Sequence, residues 1–163
     1  MRVFRAIVVA GLFLLLPHTV YAASYAALSS MDTQVAKAPD TAYPVVMVGE
    51  LTAGYKADGA RITIIRGGDY FVSAAAQAGG NTAGDVYLWM RVNGKDVPDS
   101  NSIQTIPVAN YTAVLVATTQ MTFKAGDVLE LVYAATAPGL GLVAARPTGL
   151  PAVPSMIFSI FEL

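Results

Sequence analysis

From residue 60 onward, apolar and polar positions alternate in short runs, and turn residues separate one run from the next. Ala60-Arg61-Ile62-Thr63-Ile64-Ile65 puts Ile62 and Ile64 on one side and Arg61 and Thr63 on the other, the period of a half-buried strand. Gly68-Asp69-Tyr70-Phe71-Val72 opens a second strand, and the alanines after it, as far as Gln77, continue it. Gly67, Gly68, Gly79 and Gly80 bracket that segment, and small side chains in a sheet let a facing layer come close. Residues 86–92 are nearly all apolar and predict a strand covered on both faces. Asn93-Gly94 after them is a hairpin signal, because a type I′ turn needs positive φ at both central residues. Further runs lie at residues 103–108, with Pro107 confining that run to an edge, and at 111–119, 128–134, 142–145 and 155–163. Upstream, only 29–35 and 43–50 read as short strands, while 52–59 reads as a turn-rich link. No segment has a helical period. Eight to ten strands spaced this way predict an all-β antiparallel sandwich or barrel.

The first 22 residues stand apart from this pattern. Arg2 and Arg5 form a positive start, residues 6–16 an apolar core broken by Pro17, and Val20-Tyr21-Ala22 a small-residue cleavage site. The apolar stretch is shorter than the roughly 20 residues a membrane span needs, so residues 1–22 are predicted to be a secretory signal. The remaining 141 residues then form an N-terminal segment with a first strand over 23–43 and a sandwich domain over 44–163. The product is expected outside the cell or on its surface, with the periplasm as the alternative, and without a membrane span once the signal is removed.

Cleavage also changes the available chemistry. It removes the sole histidine, His18, and the chain has no cysteine, so imidazole and thiol catalysis and the usual zinc and copper ligands are excluded. Eight Lys and Arg remain against eleven Asp and Glu, a net charge of −3 that offers nucleic acid no basic footprint. An exported chain without disulfides must draw its stability from burial, and 55 % hydrophobic against 13 % charged residues supplies the material. So weakly charged a surface predicts that some apolar area is covered by other subunits.

Several of these segments, taken in order, resemble the C1q/TNF-like jelly-roll family, and most closely its bacterial and phage branch. They are the Gly-x-Tyr-x-apolar pattern at Gly68-Asp69-Tyr70-Phe71-Val72, the aromatic strand running into Asn93-Gly94, and the Phe123-Lys124-Ala125-Gly126-Asp127-Val128-Leu129 run. The apolar terminal strand, Asp32-Thr33-Gln34 and Pro151-Ala152-Val153-Pro154-Ser155 complete the set. The likeness covers residues 30–163 and implies a ten-strand sandwich that assembles as a homotrimer, often at the end of a stalk. Unlike collagen-fused members, the chain shows no Gly-x-y tract. In that family inner-sheet aromatics meet near the threefold axis, which makes Tyr70, Trp89 and Phe158 the subunit-interface candidates.

Each candidate site has a plain structural alternative. Tyr87, Trp89 and Arg91 share one strand face, and Val86, Leu88 and Met90 the other. The first set could serve as a subunit contact or a carbohydrate-stacking platform, but sandwich core is the expected role. Asn93, Asp96, Asp99 and Tyr111 are the ligand-loop candidates. Asp96 and Asp99, with Asn93 and Asn101 nearby, have the oxygen chemistry of a calcium site, yet fit no defined calcium loop, and exposed turns use the same residues. No cofactor is therefore assigned. Asp85, Asp127 and Glu130 are the carboxylates that could act as a glycosidase pair; no flanking pattern supports catalysis, and no enzyme is expected. Gly67-Gly68 and Gly79-Gly80 precede no helix and so make no phosphate loop. Asn110-Tyr111-Thr112 is formally a glycosylation acceptor. The loops at 79–85, 95–102 and 138–141 are expected to carry recognition. The function predicted is a multivalent structural or adhesion module for a cell-surface protein or glycan, with a monomeric lectin-like module as the alternative.

Overall fold

A computed structural model describes residues 24–51 and 54–163 of the chain. The predicted signal and the first two residues of the turn-rich link lie outside them. The described residues form strands β1 Tyr25–Ser30, β2 Gln34–Val35, β3 Tyr43–Pro44, β4 Val48–Leu51, β5 Tyr55–Asp58, β6 Arg61–Ile64 and β7 Gly68–Gly80. After these come β8 Gly84–Val92, β9 Lys95–Asp96, β10 Ser102–Ile106, β11 Thr112–Phe123, β12 Val128–Ala135, β13 Leu140–Leu142 and β14 Met156–Glu162. Ten of them are four residues or longer, and no helix occurs among the described residues.

All pairings are antiparallel and make two sheets. In the first, β4, β1, β14 and β7 lie side by side, and β11 runs along the whole far edge of β7. On the edge facing β14, the last residues of β7 pair with β13, which carries β2 beyond it. The second sheet runs β10-β8-β12-β6-β5, with β3 against β12 and β9 against β8. The all-β sandwich read from the sequence is thus the observed architecture.

The interior takes alternate residues from both sheets. Tyr70, Val72, Ala74, Leu115, Met156, Phe158 and Ile160 from the first sheet meet Ile62, Ile64, Val86, Leu88, Met90, Leu129 and Leu131 from the second, all buried. At one end Tyr70 meets Tyr55 and Phe123 edge-on, with ring centroids 6.1 and 5.5 Å apart, an arrangement aromatic quadrupoles favour. Burial raises the phenol pKa of both Tyr55 and Tyr70. Ala74, Ala76 and Ala78 all point inward, so the alanine run of β7 is a strand whose small face admits the opposite sheet.

Four expectations need correction. The strand expected over 29–35 is two strands with a break, because the Ser30 hydroxyl accepts from Asp32 N at 3.4 Å and from Gln34 Nε2 at 3.0 Å, and Ser155 Oγ donates to the Asp32 carbonyl at 2.6 Å. Such local bonds compete with a continuous ladder. Residues 25–28, read as connecting chain, form most of an internal strand between β14 and β4. The strand expected over 43–50 is also split: β3 belongs to the second sheet and β4 to the first, and the intervening Val45 and Met47 cross through the core. Finally, the 52–59 link contains β5, a hairpin partner of β6.

Candidate functional site

The interface candidates separate at once. Tyr70 and Phe158 are both fully buried between the sheets, so neither has surface to offer a second subunit. The residues beside them point outward instead. Tyr25, Phe161, Phe71 and Gln120 form one row across β1, β14, β7 and β11. The next row is Ala27, Ser159, Ser73 and Thr118, and the third is Ser29, Ile157, Ala75 and Val116, with Gln77 and Val114 beyond. None of these residues is charged. Ile157 is 52 % exposed, Val114 63 % and Phe161 41 %, and the Phe71 and Phe161 rings lie 5.2 Å apart.

Trp89 occupies the opposite side of the molecule. The strand β8 buries Val86, Leu88 and Met90 and turns Tyr87, Trp89 and Arg91 outward, half-buried. Neither expectation for this strand holds: it is not covered on both faces, and Trp89 is not core. Trp89 Nε1 donates to Asp96 Oδ1 at 2.7 Å, and the Arg91 guanidinium binds the same oxygen through Nε and Nη2, both at 2.8 Å. Arg91 also lies 6.0 Å from the indole centroid, within cation–π range. Hydrogen bonds from Trp89 and then Arg91 hold the Asp96 carboxyl below the ordinary aspartate value.

A carboxyl depressed in this way stabilises the fold above its unfolded pKa, and the contribution disappears as pH falls through the lower, folded one. Trp89 emission should therefore stay constant on acidification through the ordinary aspartate range and change only below it. A fluorescence titration of the wild type and of Asp96→Asn checks this; the variant should lack the step.

Tyr87, Trp89, Asp96, Val97 and Asn101, with Asp40 and Ala134 across from them, line a shallow groove of about 320 Å³. The loop carrying Asp96 to Asn101 is pinned underneath. Ser100 Oγ, buried, accepts from Met90 N at 3.0 Å and donates to the Val97 carbonyl at 2.8 Å, and Val97 N donates to Met90 O at 2.9 Å. Asp40 sits on the far wall with φ 51°, its amide donating to Ala135 O at 2.8 Å. Its loop is held by the Tyr43 hydroxyl, which accepts from Lys37 N and Ala38 N at 3.2 and 3.0 Å. Sequence reasoning assigned Asp40 to connecting chain. Pro39-Asp40 does mark a turn, but nothing in it says which strand the turn lies beside.

The other candidates are dispersed. Asn93 and Gly94 take φ of 52° and 76°, the values a type I′ turn requires. The Asn93 side chain bridges to the neighbouring turn: Nδ2 donates to Asp127 Oδ1 at 2.8 Å and Oδ1 accepts from Val128 N at 2.9 Å. With Asp127 Oδ2 accepting from Lys124 N at 2.7 Å, this clamps the 93–94 turn to the 124–127 turn. The Asp127 carboxyl is held below its ordinary value, first by the Lys124 amide and then by Asn93. Asn93→Ala should cost about 2 kcal/mol, read as a lower urea midpoint. Asp99 is exposed with φ 60° and does not line the groove, and Tyr111, also exposed, sits at the start of β11 away from it.

Asp85 accepts from Thr105 Oγ1 at 2.7 Å, and Glu130 pairs with Arg61 at 3.5 Å. Asp85 and Asp127 stand at opposite ends of the β8–β12 pair, roughly 30 Å apart at the rise of a strand, so they form no carboxylate pair. Among the described residues no three His, Cys, Asp or Glu side chains gather at one point. Nor is any described helix long and apolar enough to cross a membrane. Of the expected loops, 79–85 shrinks to three residues between β7 and β8, and 138–141 packs on Ala36 through Gly139 N. Only the 95–102 loop contributes to the groove.

Two stacked antiparallel sheets with this strand order define a TNF-like jelly roll. The crystal structure of murine APRIL at pH 5.0 superposes with a TM-score of 0.62 at 10 % identity, over 87 % of this chain and 100 % of that one. Murine APRIL at pH 8.0 and at pH 8.5 give 0.60 and 0.58, each at 15 % identity and the same coverage. No family model matches the sequence, and no curated protein does. The likeness is one of fold.

Proposed function

We propose that this chain is an exported, non-enzymatic structural or adhesion module of C1q/TNF-like type that assembles as a homotrimer and presents its loops in several copies. One observation carries the reading: the outward face of β1, β14, β7 and β11 holds fourteen residues in register without a charge, with aromatics at one end and aliphatics at the other. A row of small residues, Ala27, Ser159, Ser73 and Thr118, separates the two apolar ends, and exposed large apolar side chains gathered on one uncharged face mark a surface that another molecule covers. The TNF-like fold and the family resemblance support a threefold partner, a second and third copy of the same chain. Multiple copies raise avidity without any new contact at the individual site. The dispersal of Asp85, Asp127 and Glu130 supports a binding rather than a catalytic role.

Light scattering of the purified protein at micromolar concentration should give three times the monomer mass. A clean monomer overturns the assembly. It would favour the second reading, a monomeric lectin-like module, for which the groove at Trp89 is the supporting observation.

A further inference from the structure

We propose that the groove between Trp89 and Asp40 binds a neutral oligosaccharide. It lies within one protomer, on the sheet facing away from the uncharged face, so the inference does not depend on copy number; it deepens the lectin-like reading by naming the ligand class and the residues.

The argument begins with what is already used. Asp96 is neutralised by Arg91, and Trp89 Nε1 is spent on Asp96, so the indole is fixed while still lining the groove. What is left for a ligand is aromatic surface from Trp89 and Tyr87, the Asp40 carboxylate and the Asn101 amide. Among the described residues neither of these last two side chains has a hydrogen-bond partner. A pyranose matches this set, because one face presents polarised C–H groups to an electron-rich ring while its rim presents hydroxyls. A carboxylate accepts from such hydroxyls, and an amide both donates and accepts.

Charge decides among the alternatives. An anionic ligand would meet the Asp40 carboxylate, and a cation stacking on the indole would compete for it with the Arg91 guanidinium, 6.0 Å from the ring centroid. An uncharged ligand meets neither conflict. Both walls are also rigid before binding: Ser100 pins one and Tyr43 the other. Such preorganisation lowers the ordering cost that weakens shallow sites.

Trp89 is the chain's single tryptophan, so intrinsic emission reports on this groove alone. Cellotetraose, chitotetraose and mannotetraose are titrated into the purified protein, with choline and a polygalacturonate oligomer as charged comparisons. At least one neutral sugar should shift Trp89 emission saturably, with Kd on the order of 1 mM per site. Calorimetry with the same sugar should show binding lost in Trp89→Ala and weakened about tenfold in Asp40→Asn. Asp40→Asn keeps a side chain that tolerates positive φ, so it remains informative if Trp89→Ala fails to fold. Three results overturn the proposal: no response to any neutral sugar, saturation by choline or polygalacturonate alone, or sugar binding that Asp40→Asn leaves unchanged.

Discussion

Phe158→Ala should lower the stability of the domain by about 3–5 kcal/mol, a large part of what a domain of this size possesses. Phe158 lies in β14 at the centre of the first sheet, fully buried, with Leu28 and Ala74 in register on either side. Ala74 has no bulk to move into the space, so the cavity cannot collapse and its full cost remains. Phe161→Ala, three residues along on the outward face, should change the denaturation of the dissociated subunit, measured in the Ile157→Arg background, much less. Urea midpoints of the two variants make the comparison; equal midpoints would contradict the assigned facing of the strand.

The second large effect concerns association. Ile157→Arg places a guanidinium in the middle of the uncharged face, flanked by Ser29 and Ala75 in register. In a trimer closed through this face, three such charges would be desolvated without partners, and an unpaired buried charge costs several kcal/mol. The scattering mass should fall to one third while the far-ultraviolet spectrum keeps its strand signature. A variant that stays at the wild-type mass would move the contact to another surface.

Period-two patterning sufficed where the two faces of a strand differ. Ile62 to Ile64 was legible because its inward and outward residues differ in polarity, whereas Val86 to Val92 and β14 carry large apolar side chains on both faces, and their facing was not. The pattern fades in Tyr25–Ser30, where alanine occupies both faces and only register with β14 shows which alanine is covered. Facing itself was the harder problem. Tyr70 and Phe71 are adjacent aromatics, and sequence alone does not tell which turns inward; Tyr70 is buried and Phe71 is not. The groove was half visible. Trp89, Asp96 and Asn101 come from neighbouring stretches of sequence, but Asp40 arrives beside Ala134 through a contact spanning most of the chain, and no local signal encodes that.

Because Tyr25–Ser30 needs Met156–Glu162 as its neighbour, a chain emerging from its N-terminus holds that strand with one edge vacant until residues 156–162 have appeared. Closure between such distant stretches is slow. Polypeptide that has not yet reached that strand therefore stays open to proteases, and removing Met156–Glu162 would strip two strands, Tyr25–Ser30 and Gly68–Gly80, of a neighbour at once.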